Sequence, residues 1–295
     1  MKADLLLLFT AAIWGFAFVA QRMGMDHMGP FTFNALRFSL GALVLFPLYI
    51  GARKREQKPS NFKLKQNLLP ILLTGLALFA GASLQQIGLV GTSAGKAGFI
   101  TGLYVILVPL LALFWKDRIH PAHWVGAILA TVGLYLLSVR GDFTVSPYDL
   151  IVLAGAFVWA GHVHLIAKYS NSIGPIRLSI SQFFICGLLS GIAALLFETV
   201  RLDGILDGIW PVMYGGFLSV GLAFTLQVVA QRTANPSHAV IILSLEGAFA
   251  ALGGWWVLQE VLTARGLFGS GLMVAGTLVS QFLGRPHEKD TQEEL

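Results

Sequence analysis

Charged side chains are scarce in this sequence. Asp, Glu, Lys and Arg make up 12 % of its 295 residues, against about 25 % in a water-soluble domain. With half the usual charge the chain cannot cover its surface with polar groups, which excludes an ordinary soluble globule. Hydrophobic residues fill 56 % of the chain and mean hydropathy is +0.73. Cysteine is scarcer still. Cys186 stands alone inside an apolar run, so no intramolecular disulfide forms and the redox compartment is not legible. The formal net charge of +5 comes without a basic patch. The Lys and Arg residues sit in short connections between apolar runs, which excludes a nucleic-acid face.

What the sequence holds instead is long apolar runs. Ten are expected to cross a bilayer as helices, at about 4–22, 30–51, 68–90, 94–115, 121–139, 147–169, 176–197, 208–231, 236–258 and 265–284. The first follows Met1-Lys2-Ala3-Asp4; it is too long for a signal peptide and leads into further membrane, so it is read as a span. The positive residues set the orientation. With the N-terminus inside, fourteen of the twenty Lys and Arg are cytoplasmic, including Arg53, Lys54, Arg55, Lys58, Lys63 and Lys65 in the longest connection. Five are outside, and Arg37 falls within a span. Both termini are therefore expected in the cytoplasm, and the polar tail 285–295 is expected to be disordered.

The fourth run, from Gly91 to Trp115, organises the rest. Gly91, Gly95, Gly98 and Gly102 recur at helical spacing, giving one smooth face for close approach of another helix in lipid. A second copy of the pattern, Ala234 to Val257, carries Glu246 at its middle. Other landmarks repeat in the same order. An offset of 145 pairs Ile13-Trp14 with Val158-Trp159, Gly29-Pro30 with Gly174-Pro175, and Phe38 with Phe183. An offset of 142 pairs Gln85 with Gln227 and Lys96 with His238; one of 143 pairs Asp117 with Glu260, Gly126 with Gly269 and Gly133 with Gly276. The expected division is a first five-helix repeat over 1–145, a second over 146–284, and the tail. An odd number of spans per half inserts the halves with opposite polarity, and such inverted repeats hold a site near the midplane.

The chain resembles the ten-helix EamA-type members of the drug/metabolite transporter superfamily. The resemblance rests on AAIWGFAFV near the start, SAGKAGFITGLYVILVPLLALF in the fourth span, FVWAGHVHLIAKY in the sixth and ILSLEGAFAALGGWWVLQE in the ninth. It implies an inner-membrane secondary carrier, commonly an exporter of amino acids or related metabolites, with a cavity lined by spans one, three, four, six, eight and nine. The fourth span ends Trp115-Lys116-Asp117 where the second half has Leu258-Gln259-Glu260, so those two carboxylates are not assigned equal roles.

Glu246 is the sharpest candidate. A carboxylate in mid-membrane costs several kcal/mol unless paired, protonated or wetted. It suits a proton carrier or a group that binds an ammonium; the alternative is a structural ion pair with Arg37. On one continuous helix Asn235, Ala239, Ile242, Ala250 and Gly253 would share its face. Arg37, whose repeat partner is Gln182, is read as structural. Lys96 and His238, at matched helix starts with Thr92-Ser93 and Asn235-Pro236 beside them, would attract an anion or sit at headgroup level. Trp14, Phe18, Tyr104 and Trp159 offer rings for an apolar or aromatic substrate, and Gln85 and Gln227 offer matched polar groups.

His162, a turn from Trp159, is a cavity candidate, although it and His164 point to opposite sides and cannot chelate one metal. His120 and His123 read as loop residues at a membrane boundary. Gly91 to Gly95 matches G-x-S-x-G by letter but opens a membrane helix rather than a strand-turn-helix, and with Lys96 it is misspaced for a phosphate loop.

The reading is an all-α integral membrane protein of ten helices in two inverted repeats, working by alternating access. Its partners are a small-molecule substrate, an amino acid or related metabolite, and the bilayer, with protons as one candidate coupling ion beside exchange or the substrate's own gradient; no nucleic acid, metal or cofactor is expected. The halves are expected to rock about glycine-rich faces of spans three, four, eight and nine. The rival within transport is an organic-phosphate or nucleotide-sugar exchanger, which needs clustered cations. The rival outside it is a lipid-modifying membrane enzyme, which needs a Ser/His/Asp set or metal cluster; no suitable spacing exists in the sequence.

Overall fold

The computed structural model describes residues 2–55, 64–92, 94–114, 119–138, 145–257, 259, 261 and 263–283. Trp115 to Asp117, Leu258, Glu260, residues 56–63 of the longest polar connection and the tail 285–295 lie outside the described residues. Regular structure among the described residues is helical throughout. The elements are α1 (Lys2–Gly24), α2 (Pro30–Arg55), α3 (Leu64–Gly91), α4 (Ala94–Gly102), α5 (Tyr104–Phe114), α6 (Pro121–Ser138), α7 (Pro147–Ile173) and α8 (Pro175–Phe197). There follow α9 (Leu202–Asp207), α10 (Ile209–Met213), a π-helical stretch Tyr214–Phe224, α11 (Thr225–Ala230), α12 (Pro236–Leu243), α13 (Glu246–Val257) and α14 (Ala264–Leu283).

Nine of the described helical stretches are long and apolar enough to cross a bilayer, and Pro121–Leu137 forms a shorter tenth. Their outer surface is apolar: Phe114 is 83 % exposed, Leu195 79 % and Trp210 78 %. Polar groups such as Gln85, Gln227, Arg37 and Glu246 are buried instead. That inversion of a water-soluble core suits a bilayer as solvent.

Local chemistry starts these helices. Ser146 caps α7, its Oγ accepting from Asp149 N while Ser146 N donates to Asp149 Oδ2, with Pro147 in the first turn. Asn235 Oδ1 accepts from Ser237 N at the start of α12, ahead of Pro236. Gly174 joins α7 to α8 with φ of 87°, a conformation costly for a residue with a Cβ. The N-terminus of α2 is capped from afar: Glu198, just beyond α8, accepts from Phe31 N at 2.7 Å, Thr32 N at 2.8 Å and Thr32 Oγ1 at 2.7 Å.

Helices α2 and α8 pack together, as do α6 and α14, flanking a centre built from α1, α3, α7 and the fourth, eighth and ninth spans. The α6–α14 contact is backbone on backbone. A Cβ at Gly126 would sit 2.7 Å from Gly276 O, and one at Gly276 would sit 2.6 Å from Gly126 O. Gly133 and Gly269 face each other in the same way. All four belong to the 143-residue offset, so the repeat glycines join the fifth and tenth spans.

Three spans depart from the continuous helices expected. The fourth breaks at Leu103, between α4 and α5, and the ninth at Ser244–Leu245, between α12 and α13. Leu103 N bonds to Ile100 O and Leu245 N to Ile242 O, tighter i→i−3 turns that interrupt the α ladder. Gly102 weakens the helix before the first break. Ser244 Oγ donates back to Ile241 O at 2.7 Å, competing with the helix at the second. Leu103 and Leu245 are 142 residues apart, the repeat offset. The eighth span is π-helical at its centre.

These breaks correct two expectations. The helical face drawn through Glu246 is interrupted, and the glycines of the fourth run do not form one face. Gly91 ends α3 against Tyr148, whereas Gly102 faces Leu134.

Candidate functional site

Tyr104 is the first residue after the break in the fourth span, and Glu246 the first of α13 after the break in the ninth. They occupy equivalent places 142 residues apart, and they touch: Tyr104 Oη donates to Glu246 Oε1 at 3.0 Å. Discontinuous helices meeting at mid-membrane are a known way to place a polar site there.

A cavity opens at this contact, and its wall is built from equivalent positions of the two halves. Trp14 faces it with Trp159, Phe18 with Val163, Gln85 with Gln227, Thr101 with Leu243, and Tyr104 with Glu246. Gln21, Arg37, Ser219 and Phe224 complete the wall. The lining thus comes from spans one, three, four, six, eight and nine, with Arg37 added from the second. About 520 Å³ within the cavity and its open mouth is free of protein atoms, and about 50 Å³ admits the centre of a water molecule. One water needs about 10–15 Å³ on that measure, so the space takes a few waters and is closed to an amino acid.

The aromatic wall is rigidly held. Trp14 Nε1 donates to Ser219 O at 3.2 Å in the π-helical stretch, and Trp159 Nε1 to Gln85 Oε1 at 3.0 Å. Gln85 Nε2 in turn donates to Gln21 Oε1 at 3.0 Å. Phe224 joins the two tryptophans, its ring 4.6 Å from Trp14 and 5.9 Å from Trp159.

Polar clasps lie at opposite ends of the bundle. At the end away from the N-terminus, Lys96 Nζ is 2.6 Å from Asp149 Oδ2, and Thr92 Oγ1 donates to Asp149 Oδ1 at 2.7 Å. At the N-terminal end, His238 Nε2 is 3.1 Å from Asp4 Oδ1. His238 Nδ1 lies 2.8 Å from Ser280 Oγ, and His123 Nδ1 lies 2.9 Å from the same oxygen. Gln281 Nε2 donates to Asp4 Oδ2 at 3.2 Å. Asp4 and Asp149 are 145 residues apart and Lys96 and His238 are 142 apart. Each clasp therefore joins the first helix of one half to the fourth span of the other.

Of the ten candidate residues, Trp14, Phe18, Gln85, Tyr104, Trp159, Gln227 and Glu246 meet in the one cavity. Lys96 and His238 stand away from it, in the clasps. His162 packs beside Trp159, ring centroids 5.6 Å apart, but is wholly buried and bonds Gln182 Oε1 at 2.8 Å. Arg37, read as structural, lines the cavity and is not bonded directly to Glu246. His164 Nε2 reaches Val108 O at 2.9 Å. His123 belongs to α6 rather than to a loop, and is buried.

The residues missed were Gln21, Thr101, Val163, Ser219, Phe224 and Leu243 in the wall and Asp4, Asp149 and Ser280 in the clasps. Extending the repeat offsets would have found Asp4 with Asp149 and Tyr104 with Glu246. The fold also brings together an Asp4–His238–Ser280 sequence of hydrogen bonds that the spacing did not suggest. Ser280 is 1 % exposed and engaged by two imidazoles, so its hydroxyl is closed to a substrate carbonyl. Among the described residues no group of three His, Cys, Asp or Glu is placed to hold a metal ion.

The profile of the EamA-like transporter family matches residues 1–139 and 146–282, one match on each half. An Archaeoglobus fulgidus protein named an uncharacterized transporter is 33 % identical over 95 % of this chain and 85 % of its own. The threonine/homoserine exporter RhtA of Escherichia coli K12 is 25 % identical over 97 % of this chain and 92 % of its own. A probable amino-acid metabolite efflux pump of the same organism is 28 % identical, covering 95 % of each chain. A crystal structure 20 % identical in sequence superimposes with a TM-score of 0.75, covering 95 % of this chain and 96 % of that one; it shows the shared fold alone. With the family profile spanning both halves of a polytopic helical membrane protein, the chain belongs to the EamA-like family of drug/metabolite-type transporters.

Proposed function

We propose that the protein is a secondary transporter exporting amino acids or similar small metabolites across the bacterial inner membrane by alternating access, with both termini in the cytoplasm. The observation that carries this reading is the Tyr104–Glu246 contact, made at matched helix breaks on a cavity where the halves meet. The two clasps act as gates. Both are engaged in this structure and the space between them that admits water is small; opening one clasp at a time exposes the cavity to alternate sides. Glu246 either binds the substrate's ammonium or carries a proton. The names of two relatives, an amino-acid metabolite efflux pump and a threonine/homoserine exporter, support the substrate class. The phosphate-exchanger alternative is weaker: Lys96 is engaged by Asp149, leaving Arg37 as the one cation lining the cavity among the described residues.

The test is uptake of twenty labelled L-amino acids into proteoliposomes, with and without an imposed pH gradient. Uptake of a subset above protein-free vesicles is expected, and gradient dependence identifies proton coupling. Failure with all twenty, under either condition, contradicts the substrate class.

A further inference from the structure

The cavity wall carries two buried ionisable side chains, one basic and one acidic, that are not paired with each other. Arg37 is 3 % exposed and Glu246 4 %, and both line the cavity. Among the described residues Arg37 makes one hydrogen bond, from Nε to Asn34 Oδ1 at 2.9 Å. Its Cζ lies 5.4 Å from the Phe33 ring and 4.8 Å from the Phe38 ring, contacts that steady the guanidinium but bring no negative charge. Its Nη donors have no acceptor among the described residues. Glu246 receives the Tyr104 hydroxyl on Oε1 and no other donor among them. Two neutral atoms of the same wall, Thr101 Oγ1 and Gln227 Oε1, are buried without a hydrogen-bond partner.

A buried charge without a countercharge is costly, and ionisable groups inside membrane proteins concentrate on substrate pathways. The unused wall chemistry is specific. It comprises N–H donors on a cation, an acceptor on a carboxylate, an amide oxygen and a hydroxyl. A simple amine would satisfy Glu246 and strand Arg37. A simple acid would do the reverse. A phosphate dianion would meet one cation and be repelled by Glu246. A zwitterion bearing one ammonium and one carboxylate satisfies both.

We propose that Arg37 is a substrate-binding residue that takes the carboxylate of a zwitterion while Glu246 and Gln227 Oε1 take its ammonium, with Trp14, Trp159 and Phe224 against its side chain. This deepens the transport reading and rests on it. Arg37 then sets specificity: a planar guanidinium grips a carboxylate through paired N–H donors, which an amide cannot match.

The test is equilibrium binding in nanodiscs, so that variants unable to transport remain readable. The tightest-binding of the twenty labelled L-amino acids is competed with its own amide, which lacks the carboxylate charge, and its N-acetyl derivative, which lacks the ammonium. Wild type is expected to prefer the amino acid to either derivative by roughly tenfold or more. Arg37→Gln should bring the amino-acid-to-amide ratio close to one and keep the discrimination against the N-acetyl form; Glu246→Gln should do the opposite. Arg37→Lys, which keeps the charge without the planar fork, should fall between.

Equal competition by amino acid and amide at wild type overturns the proposal without any variant. A monodisperse Arg37→Gln protein that keeps the wild-type ratio also overturns it, while the transport reading stands. Binding of none of the twenty by wild type overturns both.

Discussion

Lys96→Met weakens one clasp and spares its surroundings. The substitution keeps most of the side chain's apolar length and removes its charge. Asp149 is not stranded, because Thr92 Oγ1 at 2.7 Å and Ser146 N at 2.6 Å remain on its oxygens, and the cap of α7 is untouched. The loss includes the charge-assisted bond of 2.6 Å to Asp149. Such bonds contribute about 1.5–3 kcal/mol. The Lys96 side chain is 25 % exposed and partly screened, which lowers the figure to about 1–2 kcal/mol. If the clasp is a gate, that energy is lost from the closed form alone, and opening at this end becomes about 5- to 30-fold more frequent.

A cysteine at Thr101, buried in the cavity wall, reports opening through its rate of reaction with a membrane-impermeant thiol reagent. The native Cys186 is buried, and the chain without Thr101→Cys provides the blank. Lys96→Met should raise labelling by about that factor from the end away from the N-terminus and lower it from the other. Asp4→Asn should do the reverse. Unchanged labelling from both ends, with only a lower melting temperature, would show that the clasps are structural.

Two further predictions concern the frame. Gly126→Ala and Gly276→Ala each drive a methyl into a backbone oxygen, at 2.7 and 2.6 Å, and neither oxygen can swing aside. Each should cost about 1–3 kcal/mol and lower the melting temperature in detergent. Gly161→Ala, with nothing within 4 Å, should leave it unchanged; equal behaviour of the three would refute the close α6–α14 contact. Glu198→Gln removes the charge that caps α2 from three bonds and should cost about 1–2 kcal/mol in thermal stability. Substrate affinity should stay at wild type, and a loss of affinity without a loss of stability would contradict the capping role.

The frame is legible in the sequence because a bilayer demands long apolar runs and the repeat marks them twice. Trp14 with Trp159 and Gln85 with Gln227 are visible as offset pairs, and the same offset places each pair on facing sides of one cavity. The breaks at Leu103 and Leu245 are not visible. Both fall inside long, mainly apolar runs, and hydropathy does not register a change in backbone hydrogen bonding. Lys96 and His238 are readable as cations at helix starts, but each receives its carboxylate from the opposite half, and no local pattern encodes a partner 53 or 234 residues away. Asp4 and Asp149 stand at span ends, where charge is ordinary, so neither draws notice without its partner. His162 shares a helical turn with Trp159, yet one turn covers both the cavity side and the packed side, and Gln182 holds His162 on the latter.

The most direct measurement is uptake of a transported amino acid into proteoliposomes by wild type and Glu246→Gln, reconstituted to equal density. The glutamine keeps the shape and an oxygen for the Tyr104 hydroxyl while removing the charge from the cavity. The account predicts loss of uptake by a well-folded variant with unchanged melting temperature. Uptake at the wild-type rate would contradict it, because the transport path would then not pass through the Tyr104–Glu246 cavity.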